Sequence, residues 1–240
     1  MKRFLIAAGL AFAAGQALAA DLPQPVPPPP PQAPAAYVPV TAPAYNWGGI
    51  YFGINGGYGF GQTEWSNVAG PAVGLSSSSG TFDVSGFLVG STLGANVQYD
   101  AFVFGIEGDL DASWMSSGST TNTYCLFACE TRNTWLSTVR GRIGYAADRV
   151  LVYGTAGGAF GNIQAGVTPF SNFSNSIEPG WAAGAGVEAA FADNWTARVE
   201  YLFVDLQNAT CSGFNCGVPT NTSVKFDSSM IRLGIDYKFR

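Results

Sequence analysis

The sequence predicts an all-β protein, an eight-stranded antiparallel up-and-down transmembrane β-barrel, and three observations predict it. From Trp47 onward, apolar and polar residues alternate with a two-residue period in eight segments. Their length is that of tilted membrane strands, about 9–11 residues or somewhat more. The segments are joined alternately by tight turns and by long stretches rich in Ser, Thr, Asn and Gly. Only 11% of the 240 residues are charged while 47% are apolar and 31 are Gly. Soluble domains carry about 25% charge, so this composition cannot build an ordinary water-facing surface.

The chain opens with Lys2-Arg3, an apolar stretch from Phe4 to Gly15, and Ala17-Leu18-Ala19. Basic n-region, short h-region and A-x-A site define a secretory signal peptide, residues 1–19, cleaved after Ala19. A membrane helix is the weaker alternative, because Gly9, Gly15 and Gln16 interrupt a stretch shorter than the ~20 residues needed to span. Without Lys2 and Arg3 the chain has nine bases against 16 acids. Residues 20–45 follow as a periplasmic Pro-rich segment with ten of the fourteen prolines. That composition favours extended, disordered chain over a hydrogen-bonded core. A spacer is the expected role and a Pro-rich ligand the alternative. The barrel domain takes residues 46–240.

In the first strand Ile50, Phe52, Ile54, Tyr58 and Phe60 share a face opposite Gly49, Tyr51, Gly53, Asn55, Gly57 and Gly59. The second, from about Val84 to Tyr99, sets Phe87, Val89, Leu93, Ala95 and Val97 against Gly86, Gly90, Thr92, Gly94 and Asn96. After a turn at Asp100-Ala101, the third opposes Phe102, Phe104, Ile106, Leu110, Ala112 and Trp114 to Val103, Gly105, Glu107, Asp109, Asp111 and Ser113. The fourth sets Trp135, Val139, Ile143 and Tyr145 against Thr138, Arg140, Arg142 and Gly144, and turns at 147–149. The fifth, residues 150–163, is too apolar on both sides to orient. In the sixth, Trp181, Ala183, Ala185, Val187 and Phe191 oppose Gly184, Gly186 and Glu188. The seventh pits Trp195, Ala197, Val199, Tyr201 and Phe203 against Thr196, Arg198 and Glu200. The last places Ile231, Leu233, Ile235, Tyr237 and Phe239 opposite Arg232, Gly234, Asp236 and Lys238. Long connections are expected at 61–83, 115–133, 164–179 and 207–228. This asymmetry puts the short turns and both termini in the periplasm and the long loops outside the cell.

Alternation alone does not say which face points in, since a soluble lipocalin-like barrel has the same period with the faces reversed. A small lumen cannot hold several Trp, Tyr and Phe per layer, so the apolar faces meet lipid. Trp47, Trp114, Trp135, Trp195, Tyr201 and Tyr237 then form interfacial belts. Glu107, Asp109, Asp111, Glu188, Glu200 and Asp236 point inward with Arg140, Arg142, Arg198, Arg232 and Lys238. Partly desolvated charges need partners, so a packed ion-pair network is expected. An ion-selective pore or proton relay is the alternative use of the same residues.

The chain has no His and a net charge of −5. The first removes the usual base of Ser and Cys nucleophiles and a common metal ligand, and the second excludes a phosphate-binding field. No enzyme activity, no metal or other cofactor and no nucleic-acid partner are expected. Gly184-x-Gly186 lies inside a strand and has no helix to receive a phosphate. Cys125 and Cys129 sit in the second long loop, Cys211 and Cys216 in the fourth. In an exported chain their spacing favours two local disulfides, with bridges between loops as the alternative.

The start Tyr45-Asn46-Trp47-Gly48-Gly49-Ile50-Tyr51-Phe52-Gly53, the strand Arg198-Val199-Glu200-Tyr201 and the ending Ile231-Arg232-Leu233-Gly234-Ile235-Asp236-Tyr237-Lys238-Phe239 resemble the small alphaproteobacterial porin-family surface proteins. These are often called outer-membrane immunogenic proteins and have an OmpA-like barrel. The resemblance implies an outer-membrane location, contact with membrane lipids and lipopolysaccharide, and assembly by machinery that reads a terminal aromatic, here Tyr237 and Phe239. Arg240 after Phe239 departs from that ending. The expected function is structural, contributing to envelope integrity and presenting surface loops. A narrow passive porin and a surface haem- or host-ligand-binding protein are the alternatives. Without His, haem would rely on Tyr, Met or an apolar loop surface.

Overall fold

A computed structural model describes residues 45–66, 68–69, 76–77, 81–117, 128–168, 173–211 and 222–239. The signal peptide, the Pro-rich segment before Tyr45, Cys125, Cys216 and Arg240 lie outside these residues. Among the described residues there are ten strands: β1 Gly49–Ser66, β2 Val68–Ala69, β3 Ser76–Ser77, β4 Thr81–Tyr99, β5 Phe102–Ser117, β6 Ala128–Ala147, β7 Val150–Thr168, β8 Ser174–Ala190, β9 Trp195–Cys211 and β10 Thr222–Lys238. Eight of them close a barrel in the order β1-β10-β9-β8-β7-β6-β5-β4, and β2 and β3 pair separately. All barrel pairs are antiparallel, and the seam between chain ends runs from Tyr51↔Lys238 to Ser66↔Ser223. Every one of the eight barrel strands pairs on both sides, so the barrel offers lipid no open edge.

Two of the short turns depend on an aspartate in the left-handed region, Asp100 at φ 53° and Asp148 at φ 51°. Asp tolerates that conformation better than most residues because its short polar side chain bonds locally. At the other end the strands run further than their alternation indicates. β1 reaches Ser66, β6 begins at Ala128 and β10 at Thr222, which shortens the expected connections at both flanks. There the outer face no longer meets lipid, so Ser, Thr and charged residues occupy it and the apolar signal fades while backbone pairing continues. Irregularities of register lie in this upper part, at Ala112/Met115, Asn133/Leu136 and Val224/Phe226.

The outer wall is apolar from β1 to β10, with Ile54, Leu93, Ile106, Val139, Val187 and Leu233 exposed. Near the turn end, aromatic pairs form a belt: Phe102 with Tyr145 at 5.8 Å, Trp195 with Tyr237 at 5.1 Å and Tyr237 with Phe239 at 5.1 Å. A second belt toward the loop end includes Tyr58 with Phe87 at 5.2 Å and Trp181 with Phe203 at 5.4 Å. Trp114, Trp195, Tyr201 and Tyr237 occupy the outer wall, and Trp135 is half-buried at the β6 irregularity. An arginine at Ile106, 69% exposed in the middle of this band, is expected to destabilise the barrel in lipid vesicles by about 2–4 kcal/mol, the cost of a cation near the bilayer centre. Urea unfolding followed by tryptophan fluorescence measures it.

Trp47 is a correction to the sequence reading. It is 2% exposed and points into the turn-end mouth instead of joining a belt. Its indole Nε1 donates to Asp148 O at 2.9 Å and its backbone N–H to Gln98 Oε1 at 2.6 Å, partners that a lipid-facing position does not offer. Tyr45, assigned on sequence to the Pro-rich segment, packs beside it at 5.0 Å and donates its N–H to Asp148 Oδ1 at 3.0 Å. With Val103, Ala146, Leu151, Tyr153 and Ala190 these rings floor the lumen. The fifth predicted strand, unoriented on sequence, is now placed: Leu151, Tyr153, Thr155 and Ala159 face inward and Val152 and Phe160 outward. The upper lumen holds a feature that the alternation did not indicate, an apolar plug including Trp65, Phe82, Leu88, Met115, Leu136, Leu202, Leu206, Phe226 and Met230.

Candidate functional site

Between floor and plug lies a layer of buried charge, and glycines on the inner wall make room for it. Eight long inward side chains stand opposite a glycine of the neighbouring strand. Tyr51 faces Gly94 and Asp236 faces Gly53 across the β1 pairings, and Asp111 faces Gly90. Arg142 faces Gly105, Arg140 faces Gly157 and Tyr153 faces Gly186. Arg232 faces Gly57 and Arg198 faces Gly234. A Cβ at Gly94 would collide with the ring and hydroxyl of Tyr51, and one at Gly234 would stand 2.8 Å from Arg198 Nε. The side chains lie flat over these gaps, which brings groups from opposite walls together.

Glu107 of β5 is the hub. Its Oε1 accepts from Arg140 at 2.6 Å and its Oε2 from both Arg198 and Tyr51 at 2.6 Å, with Arg142 at 3.7 Å. Asp109 accepts from Arg140, from Thr138 at 2.7 Å and from Thr92 at 2.8 Å, with Arg232 at 3.4 Å. Glu200 receives Arg232, Arg140 at 3.2 Å and the Tyr153 hydroxyl at 3.0 Å. Glu188 takes Arg142 on one oxygen and the Thr196 hydroxyl at 2.6 Å on the other. Asp111 pairs with Arg232 at 3.0 Å, and Asp236 lies 3.5 Å from Arg198 Nε. All four guanidiniums are buried, and Arg142 lies over the Tyr153 ring at 3.8 Å.

Ten of the eleven charged residues assigned to the lumen thus lie in one contiguous layer. Lys238 sits lower, donating to Asn46 O and lying 4.1 Å above the Tyr45 ring in the floor. Five uncharged members were not assigned to the network on sequence: Tyr51, Thr92, Thr138 and Thr196, which the alternation puts on the inner faces, and Tyr153, on the strand it left unoriented. Tyr51 and Tyr153 share the inner face with glycines, and a Tyr among small residues on a face opposite lipid-facing aliphatics is the signal that could have found them. Tyr237 and Phe239 are exposed on the outer wall at the turn end. For Cys129 and Cys211 only the backbone is described, at the β6 start and the β9 end.

A closed lipid-facing barrel around a filled, charged lumen defines an outer-membrane barrel protein. The chain matches the family described as outer membrane protein beta-barrel domain over residues 31–239, and it belongs to that family. It is 32% identical to the 31 kDa outer-membrane immunogenic protein of Brucella melitensis biotype 1 over the full length of both chains. It is also 32% identical to the 25 kDa outer-membrane immunogenic protein of Brucella canis, covering 83% of this chain and 82% of that one. The 22 kDa outer membrane protein of Rhizobium leguminosarum bv. viciae is again 32% identical, covering 82% and 80%. Among solved structures, OprG from Pseudomonas aeruginosa superposes with a TM-score of 0.55 over 80% of this chain and 97% of its own, at 14% identity, a likeness of fold. The protein resides in the outer membrane.

Proposed function

We propose that this barrel is a structural element of the outer membrane that contributes to envelope integrity and presents surface loops, and that it is neither a conduit nor an enzyme. The observation that carries this reading is the filling of the lumen at three successive levels: aromatic floor, ion layer and apolar plug. The carboxylates that could serve as acids or bases are engaged by guanidiniums, and no His is present to activate a nucleophile. The apolar wall and its two aromatic belts fit a lasting association with membrane lipids and lipopolysaccharide. Tyr237 and Phe239, side by side on the outer wall, are the surface an insertion machinery would read.

Purified barrel added to planar lipid bilayers is expected to give a quiet baseline with no resolved conductance steps. Small, regular steps would overturn the reading in favour of a narrow pore. In cells, deletion of the gene is expected to raise sensitivity to detergent, and restoration of the barrel to reverse it.

A further inference from the structure

Between the ion layer and the plug the lumen keeps a small chamber. Its volume is about 10 Å³ at the centre of a water-sized guest, about the space that one such guest occupies. Four polar residues line it, Asp111, Ser113, Asn133 and Ser228, all buried, and the side chains of the plug close it. Asp111 is 0% exposed, yet its Oδ1 accepts no well-aligned hydrogen bond, the neighbouring Asn55 amide approaching without the geometry of one. Its Oδ2 accepts from Arg232 at 3.0 Å, but Arg232 also serves Asp109 and Glu200, so one positive charge is divided among three carboxylates. Asn55, in register with Asp111 through Gly90, carries a second buried acceptor without a donor, its Oδ1.

The charge balance points the same way. Glu107, Asp109, Asp111, Glu188, Glu200 and Asp236 are inside, with Arg140, Arg142, Arg198, Arg232 and Lys238. With every group ionised the lumen is one positive charge short, and a dry interior does not hold an uncompensated charge, so a bound cation or a proton makes up the balance. The polar groups around the chamber bring a carboxylate, two hydroxyls and an amide, an oxygen-rich set suited to hard cations. Among the described residues no group of three or more His, Cys, Asp or Glu is placed to hold a metal, and a lone carboxylate with neutral oxygens matches a single positive charge. We propose that this chamber binds one dehydrated monovalent cation of sodium size, seated on Asp111 Oδ1 and occluded beneath the plug.

The test is the thermal unfolding midpoint of the refolded barrel in detergent, read by heat-dependent gel mobility in sodium chloride and in choline chloride of equal ionic strength. The midpoint is expected to be several degrees higher with sodium, in a saturable way, and Asp111→Asn to remove the difference. Ser228→Ala, which leaves every ion pair intact, is expected to raise several-fold the sodium concentration giving half the effect. Equal midpoints in the two salts, or a saturable sodium effect retained in both variants, would overturn the proposal. So would a high-resolution structure whose chamber holds density with contacts of hydrogen-bond length, about 2.8 Å, rather than the ~2.4 Å of a cation–oxygen bond. That result would make the guest a water molecule.

Discussion

Arg140→Ala is expected to cost the barrel about 3–5 kcal/mol, the loss that follows when one partner of a buried ion cluster is removed and the others stay behind. Arg140 contacts Glu107, Asp109 and Glu200, which come from two different walls of the barrel. Its removal strands carboxylates that no water reaches and cuts one link between β5 and β9 across the lumen, leaving that of Arg198 with Glu107. Arg149→Ala is the matched control. Arg149 lies 3.4 Å from Asp193 between two short turns, with half or more of each side chain exposed. An exposed pair of this kind contributes under about 1 kcal/mol. Urea unfolding in lipid vesicles measures both. Should the two losses be equal, the ion layer is not what holds the walls together.

Gly90→Ala is expected to prevent accumulation of the folded form, seen as absence of the compact band in unheated gel samples. A Cβ there would lie 2.5 Å from Leu110 O and 2.7 Å from Asp111 Cα, both backbone atoms of β5 that cannot step aside. Overpacking alone costs about 1–3 kcal/mol. Here the methyl group also displaces the Asp111 carboxylate, and with it the pairing to Arg232. Gly108→Ala offers the comparison, because a Cβ on that outward-facing position meets only Thr138 O at 3.8 Å. Alanine favours a strand over glycine equally at both sites, so a difference between them isolates crowding inside the lumen. A normally folded Gly90→Ala barrel would show that the inner glycines are not spacers for charge.

Much of the architecture is written in the alternation of the chain. The rows Phe102-Phe104-Ile106 and Glu107-Asp109-Asp111 separate lipid from lumen because a strand sends successive side chains to opposite faces. What alternation cannot supply is register. That Asp236 lies beside Gly53, or Arg198 beside Gly234, depends on how far each strand slides along its neighbour, and the sequence shows the glycines only as members of the faces opposite the apolar rows. Trp47 was misplaced because belts and floors both want an aromatic at a strand end. Its hydrogen bond to Asp148, 101 positions away, decides between them. The plug went unseen because Leu202, Val204 and Leu206 continue the polar face of β9 with apolar residues. A period-two pattern that turns apolar on both sides carries no orientation, as in the fifth predicted strand. The Arg–carboxylate partners follow from which charges share the lumen, but the division of Arg232 among three acids does not.

The plug also bears on the surface the protein shows to the outside. It clusters buried apolar side chains at the loop end, from Trp65 of β1 round to Phe226 of β10, as the interior of a water-soluble domain does. The rim from which the loops spring is therefore braced from within and not by the surrounding acyl chains. Loop sequences can diverge on such a pedestal without disturbing the wiring of charge beneath it, and the pedestal keeps its shape when the bilayer thins or changes composition.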